Sequence, residues 1–149
     1  MLETNADYNS LKEFFIKNGL EYEDDEKVDD HIVCSWQIRE GQKQSIIAGA
    51  LLIKSKGEFI LDGIAVSQSY RKNRKGSLLL GEVIKKVRQM GGRRIYLTAK
   101  VPDFFRKAGF ETISFQDGPD YFDCLSCPQY GKKCRPEVMV LEVENENNS

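Results

Sequence analysis

The most constraining feature of the sequence is an apolar strand that leads through a short basic loop into an amphipathic helix. The strand is predicted at residues 61–66, and the loop at residues 71–76 carries four cationic side chains within five residues. After the loop, apolar residues recur three and four apart up to the pair Gly91-Gly92. This spacing predicts a helix with one buried face that ends at the two glycines.

The start of that helix is predicted to be an anion-binding site. The first backbone N–H groups of a helix have no acceptor within the helix, and the helix dipole adds positive potential there. Because the cations come directly before these groups, a pyrophosphate fits the site. The residues expected to contact it are Arg71, Lys72, Asn73, Arg74, Lys75, Gly76 and Ser77.

The loop resembles the acetyl-CoA-binding loop of the GNAT N-acetyltransferases, whose pattern is Gln/Arg-x-x-Gly-x-Gly/Ala. Arg71 and Gly76 match its first and last positions, whereas Arg74 stands where the family has glycine. Downstream, residues 104–110 resemble the family's second signature, a short helix of the form aromatic-aromatic-x-Lys-x-Gly-Phe. The resemblance covers about residues 46–115. It implies the family's fold, acetyl-CoA as the cofactor and transfer of an acetyl group to an amine.

The length of 149 residues predicts a single domain, residues 1–149, that can bury a core without disulfides. No apolar run approaches the roughly 20 residues of a membrane span, and the first residues lack the features of a signal peptide. We therefore expect a cytoplasmic protein without a membrane partner. The polar tail, about residues 144–149, is expected to be disordered.

Charge is distributed unevenly, although the formal net charge is only −1. Residues 1–30 hold ten acidic and three basic side chains, whereas residues 71–107 hold twelve basic and two acidic ones. Two interpretations stay open: solvated charged faces, or a basic segment that serves a polyanionic cofactor. Nucleic-acid binding is a weaker third interpretation, because no aromatic stacking platform accompanies the basic residues.

Hydrophobic periodicity predicts an α+β fold in which a short N-terminal helix precedes elements in the order βββ-α-β-α-β-β. Because a helix connects the third and fourth strands, these should be parallel. The GNAT resemblance implies a mixed, mostly antiparallel sheet with splayed parallel central strands and flanking helices. The predicted elements are a helix near residues 11–16, strands at 31–39, 45–54 and 58–66, a helix after 76, a strand at 94–99, a helix at 103–108, and strands at 111–115 and 137–143.

The resemblance also assigns a place to the pantetheine arm of the cofactor. Backbone groups of the third strand would pair with the amides of the arm as an added strand would, and Ala99 would flank the gap on the other side. The alternative is that the third strand is a plain core strand. The two interpretations are compatible if its side chains fill the core while its backbone faces the cofactor. The strand residues concerned are Ile64, Ala65 and Val66.

Two positions are candidates for the catalytic steps. The family's general acid is a tyrosine in the second signature, where this chain has Phe105, a residue that is also expected to contact the cofactor. A phenyl ring cannot protonate a thiolate, so water, Tyr96 or Tyr130 is left to supply the proton, and loss of the donor would cost about 10²-fold in rate. Asp62 is the candidate base, acting through a water molecule, although an Asp exposed at the strand edge is an equal interpretation.

A cysteine-rich segment precedes the last predicted strand and contains Cys124, Cys127 and Cys134. Cys-x-x-Cys forms half of a tetrahedral thiolate site, and Cys34 or His31 could complete a closed structural zinc site with all three. Reduced structural thiols and redox exchange stay open as alternatives. The segment resembles a subgroup of GNAT proteins related to amino-acid acetyltransferases of the N-acetylglutamate synthase type.

Together with the resemblance, these residues predict an acetyl-CoA-dependent N-acetyltransferase that acts on a small-molecule amine or an amino acid. A homodimer is compatible with this prediction. The alternative from another class is a non-catalytic CoA-binding or protein-interaction module on the same fold.

Overall fold

A computed structural model describes residues 2–4, 8–18, 32–40, 45–55, 57–99, 102–114 and 137–143. The chain divides into two compact units. The first unit consists of Met1–Lys54 and Leu61–Lys86, and the second of Ser55–Ile60 and Val87–Ser149.

Seven strands, three α-helices and a 3₁₀ helix lie within the described residues. They are β1 (Leu2–Thr4), α1 (Tyr8–Lys17), β2 (Ile32–Glu40), β3 (Ser45–Ser55), β4 (Glu58–Val66), the 3₁₀ helix (Gln68–Asn73), α2 (Lys75–Gln89), β5 (Arg94–Ala99), α3 (Asp103–Lys107), β6 (Glu111–Ile113) and β7 (Glu137–Glu142).

In the first unit the strands are ordered β1-β2-β3-β4, and β2 is antiparallel to both β1 and β3. Trp36 on β2 is directly opposite Ala50 on β3, and both are buried. Gly49 lets α1 approach the sheet, because a Cβ there would collide with Cδ1 of Leu11. Leu11 and Phe15 on α1 are fully buried as a result.

Helix α2 buries the face that its apolar spacing predicts. Leu79, Leu80 and Val83 are buried, while residues on the opposite side of the helix are exposed. The helix ends at the predicted pair: the Gly91 N–H donates to the Arg88 carbonyl and the Gly92 N–H to that of Val87. Gly91 has a φ of 76°, which glycine adopts without the steric penalty of a side chain.

In the second unit the strand order is β4-β5-β7-β6. The parallel pairing of β4 with β5 joins Phe59 to Ile95 and Ile60 to Tyr96. Strand β7 lies between β5 and β6 and is antiparallel to both. The fully buried side chains of this unit include Ile95 and Met139.

The predicted fold class is confirmed: the sheet is mixed and mostly antiparallel, with one parallel pair and flanking helices. The predicted elements all occur, in the predicted order. Strand β1 and the 3₁₀ helix were not predicted, and α2 begins at Lys75, inside the predicted loop. Strand β6 ends at Ile113, before the predicted bound.

Candidate active site

The second half of β4 carries the residues predicted for the pantetheine arm. Ile64, Ala65 and Val66 are half-buried, and so is Asp62, the candidate base. Asp62 is engaged in an interaction with another group of the protein. Its side chain is therefore neither a core group nor a fully solvated one.

The chain that leaves β4 is anchored before it turns into the basic loop. The Ser67 N–H donates a 2.7 Å hydrogen bond to the Ile47 carbonyl of β3, and the Tyr70 N–H then donates to the Ser67 carbonyl at 2.8 Å. The second bond belongs to the 3₁₀ helix that holds the backbone of Arg71, Lys72 and Asn73. Most of the predicted loop is therefore a regular turn structure.

Arg74 joins the 3₁₀ helix to α2 in the left-handed conformation, with φ 58° and ψ 24°. Residues with a Cβ rarely adopt this conformation, whereas glycine does so freely. Among the described residues, Arg74 is the only one other than glycine with a positive φ. Arg74, at the position where the GNAT pattern has glycine, thus has a backbone conformation that suits glycine. Its exposed side chain adds a positive charge to the loop.

The first turn of α2 contains Lys75, Gly76 and Ser77. The Leu78 N–H donates to the Arg74 carbonyl at 3.1 Å, which is the first bond of the helix. The N–H groups of the three residues before Leu78 have no acceptor within the helix, as at the start of any α-helix. These are the N–H groups for which the sequence predicts anion binding.

Lys75 has a partner that sequence reasoning missed. Its Nζ lies 3.2 Å from Oε1 of Glu40, at the end of β2, and the Lys75 side chain is only 23% exposed. Thirty-five residues separate the two, so no local pattern signals the pair. The ion pair neutralises one of the loop cations and places a carboxylate near the start of α2.

The second unit holds the two remaining predicted site residues. Ala99 is buried at the end of β5, and Phe105 lies half-buried on α3. The ring of Phe105 packs edge-on against Phe104, at a centroid distance of 5.1 Å, and against Phe110 at 5.7 Å. Phe105 is therefore a packing residue of the second signature.

The second signature is a helix with its own C-terminal cap. The Phe110 N–H donates to the Phe105 carbonyl and the Gly109 N–H to that of Arg106, which is the hydrogen-bond pattern of a Schellman motif. Gly109 has a φ of 105°, as the capping position requires. The Phe105–Phe110 ring contact is the apolar contact that accompanies this motif.

Tyr96, a candidate replacement for the missing acid, is a buried residue of β5. A hydrogen bond with Tyr96 and the nearby charge of Glu142 raise the pKa of Arg94 above its usual range. Tyr96 thus lies near a cation of its own strand. Tyr130, the other candidate, lies outside the described residues.

No group of three or more His, Cys, Asp or Glu side chains within the described ranges could hold a metal ion. Cys124, Cys127, Cys134 and His31 all lie outside those ranges. Cys34 is buried in β2, with its Sγ 3.8 Å from the Ser35 carbonyl oxygen. The zinc hypothesis therefore stays a prediction.

Comparison with known proteins identifies the class to which this fold and loop belong. Residues 4–110 match the model of the acetyltransferase (GNAT) family. This match spans more than half of the chain, so the chain belongs to the GNAT acetyltransferase family. Both signatures described above, the basic loop and the α3 segment, lie inside the matched residues.

Solved structures share the fold at low sequence identity. An acetyltransferase of the GNAT family from Staphylococcus aureus Mu50 has a TM-score of 0.69 and 19% identity, and the alignment covers 97% of this chain and 100% of that one. N-acetylglutamate synthase from Neisseria gonorrhoeae, complexed with coenzyme A and N-acetyl-glutamate, has a TM-score of 0.73 and 16% identity. That alignment covers 97% of this chain and 36% of the synthase. The ribosomal-protein-S18-alanine N-acetyltransferase from Escherichia coli has a TM-score of 0.64 and 17% identity. The alignment covers 100% of this chain and 99% of that one.

None of the helices in the described ranges combines the length and the apolar character that crossing a bilayer requires.

Proposed function

We propose that this chain is an acetyl-CoA-dependent N-acetyltransferase that transfers acetyl to the primary amine of a small molecule or an amino acid. The observation that carries the proposal is the left-handed backbone of Arg74 immediately before α2. A loop that keeps this conformation without glycine does so at a steric cost. Retaining it is consistent with a backbone shape needed for phosphate contact.

The residues present fit the proposed cofactor. The N–H groups of Lys75, Gly76 and Ser77 and the exposed Arg74 side chain would hold the pyrophosphate. Backbone groups of Ile64, Ala65 and Val66 would align the pantetheine arm, together with Ala99 and Phe105 as the family resemblance implies. Arg71, Lys72 and Asn73, in the 3₁₀ helix, complete the proposed phosphate-binding segment.

Acetyl-CoA would supply the acetyl group as a thioester. Asp62 would accept the proton of the acceptor ammonium through a water molecule, which leaves the nitrogen lone pair free to attack the thioester carbon. The nitrogen would form the new C–N bond and give up its second proton to water, the C–S bond would break, and the thiolate would take a proton from solvent, because Phe105 has none to give. Alignment of the two reactants then supplies most of the rate enhancement.

The acceptor is proposed as a class only. An amino-acid acceptor of the glutamate type is the narrower form of the proposal, supported by the cysteine segment and by the fold shared with N-acetylglutamate synthase. This chain aligns with only 36% of that protein, so its regulation is not transferred. We also propose a single domain over residues 1–149, a cytoplasmic location, a homodimer and a structural zinc.

A non-catalytic module is the second candidate function, because Phe105 replaces the family's acid and Arg74 its loop glycine. Thermal unfolding with acetyl-CoA, CoA and an oligonucleotide separates the candidates. Acetyl-CoA at 100 times its Kd should add about 2.7 kcal/mol of stability. An enzyme also releases CoA when amines are added, whereas a binding module shows the shift alone.

The site is tested by one substitution with a matched control on the same helix. Gly76→Leu places a bulky side chain at the start of α2 and should abolish the shift by blocking phosphate approach. Gly81→Leu adds the same side chain at an exposed position of α2 where a Cβ meets nothing within 4 Å, and should retain the shift. Absence of a shift in the native protein at millimolar acetyl-CoA would rule out the proposed cofactor.

A further inference from the structure

Helix α3 lacks the usual means by which a short helix is held to a protein. It has five residues, Asp103–Lys107, and none of them is buried. A helix of this length does not persist on its own in water, and packing of an apolar face normally supplies the missing stability. The contact of the Phe105 ring with buried Phe110 holds only the end of α3, so further contacts must fix its start.

A polar network centred on Arg106 provides such contacts. Its Nη1 donates to Asp103 Oδ1 at 3.0 Å, and its Nη2 donates to Glu137 Oε2 at 2.5 Å. The Thr112 hydroxyl donates to the same Glu137 oxygen at 2.9 Å and also accepts from Nη2 at 3.5 Å. One guanidinium thus joins the start of α3 to β6 and to the first residue of β7.

The network is more than an isolated surface ion pair. Single exposed pairs contribute little to stability, but a planar guanidinium bound to two carboxylates and a hydroxyl also defines an orientation. Glu137 is the least exposed member, with 35% of its side chain accessible. Because Glu137 also pairs with Ala99 in the β5–β7 ladder, the network ties α3 to the regular part of the sheet.

We propose that Arg106 is a positioning residue for acetyl transfer, which holds α3 against β7 and thereby fixes Phe105. The proposal rests on the proposed acetyltransferase function. Phe105 directly precedes Arg106, and its carbonyl and ring form the C-terminal cap of α3. Loss of the guanidinium leaves that cap attached to a helix with no anchor at its start. A misplaced helix would disturb the geometry of the bound thioester more than the binding of the phosphates, because α3 contributes no residue to the proposed phosphate-binding segment.

The test compares Arg106→Met with Arg106→Lys, Glu137→Gln and the control Glu142→Gln. Arg106→Met keeps the apolar stem and removes every donor, so kcat should fall about tenfold to a hundredfold while the KM for acetyl-CoA changes less than about twofold. Arg106→Lys should recover part of kcat, because an ammonium can donate to Asp103 or to Glu137 but not to both at once. Glu142 is the matched control, because it lies on β7 like Glu137 and forms an exposed ion pair with Arg94 of β5.

The double variant Arg106→Met/Glu137→Gln should be no slower than Arg106→Met alone, because both changes break one network. Amide hydrogen exchange at Ala108, Gly109 and Phe110 should increase in Arg106→Met and stay unchanged in Glu142→Gln. An Arg106→Met variant with native kcat and native exchange overturns the proposal, as does a double variant in which the two losses multiply. The native protein is assayed first. If it neither binds acetyl-CoA nor releases CoA, the proposed function itself fails, whatever the variants show.

Discussion

Lys75 Nζ and Glu40 Oε1 lie 3.2 Å apart, so a carboxylate from β2 accompanies the first residue of the helix that carries the proposed phosphate site. The carboxylate favours the positive end of α2 but competes with a phosphate for the same ammonium. The pair therefore lowers the positive charge available to a polyanion.

Removing the Glu40 charge should strengthen cofactor binding. In Glu40→Gln the Lys75 ammonium no longer has an anionic partner, and a partly buried pair near the surface contributes about 1 kcal/mol. We expect the Kd for CoA to fall by up to about fivefold in titration calorimetry, and the gain to shrink at high salt. Glu13→Gln, an exposed change on α1, should leave the Kd unchanged. Weaker binding in Glu40→Gln would mean that the carboxylate orients Lys75 for the phosphate.

Arg74→Gly should separate the steric cost of the loop from its charge. Glycine relieves the left-handed strain, which is worth about 1–2 kcal/mol, and loses about 0.5–1 kcal/mol through greater freedom of the unfolded chain. The unliganded protein should therefore be as stable as the native one or up to about 1.5 kcal/mol more stable in urea. Its affinity for CoA should fall because one cation is lost. A clear loss of stability would contradict the strain at Arg74, and Arg74→Asn, which tolerates the same conformation without the charge, provides the check.

Phe105→Tyr should restore the proton donor of the second signature. The Phe105 side chain is only half-buried, so CoA binding should be preserved, and turnover should rise by up to about 10²-fold. Phe104→Tyr on the neighbouring exposed ring is the control and should not change turnover. Unchanged turnover in Phe105→Tyr would show that water or another group already protonates the thiolate. A fall in turnover with intact binding would show that the Phe105 ring packs against the thioester or the acceptor.

Gly92→Ala should destabilise the fold, although Gly92 follows the helix it helps to end. A Cβ at this position would lie 2.5 Å from Cγ1 of Val87 and 2.6 Å from Cε2 of Phe59. Overpacking of this kind costs about 1–3 kcal/mol in the free energy of unfolding. Gly81→Ala, within α2 and in open space, should stabilise by about 0.5–1 kcal/mol. Equal effects of the two substitutions in urea unfolding would contradict the close contact.

The cysteine segment predicts a bound structural zinc. Cys124, Cys127 and Cys134 with a fourth protein ligand would give a closed site with about one equivalent of metal per chain. Elemental analysis of protein purified without added metal measures the zinc content per chain directly. Less than roughly a tenth of an equivalent, with all four thiols titrating freely in the native protein, would leave reduced thiols as the correct interpretation.

Local patterns in the sequence were sufficient for most of the fold. Helix α2 and its end at the glycine pair follow from apolar spacing and capping chemistry, both of which act within a few residues. The strand β1 was missed because three residues, Leu2–Thr4, are too few to show an alternation. The 3₁₀ helix was missed because its residues have no apolar period.

The candidate site was predictable where a family motif covers it and not where distant residues meet. The basic loop and the α3 segment were found from their motifs. The conformation that Arg74 adopts could not be read from its identity, which disfavours it. The ion pair of Lys75 with Glu40 and that of Arg106 with Glu137 join residues 35 and 31 positions apart, a separation that only the folded chain brings together.

The placement of β7 between β5 and β6 orders events during protein synthesis. Strands β5 and β6 leave the ribosome before β7, yet each finds its antiparallel partner only in residues 137–142. Until those residues emerge, both strands present unpaired edges, which are the surfaces through which nascent chains aggregate. The segment that carries the second signature is therefore completed late, and ribosome-associated chaperones are expected to act on this part of the nascent chain.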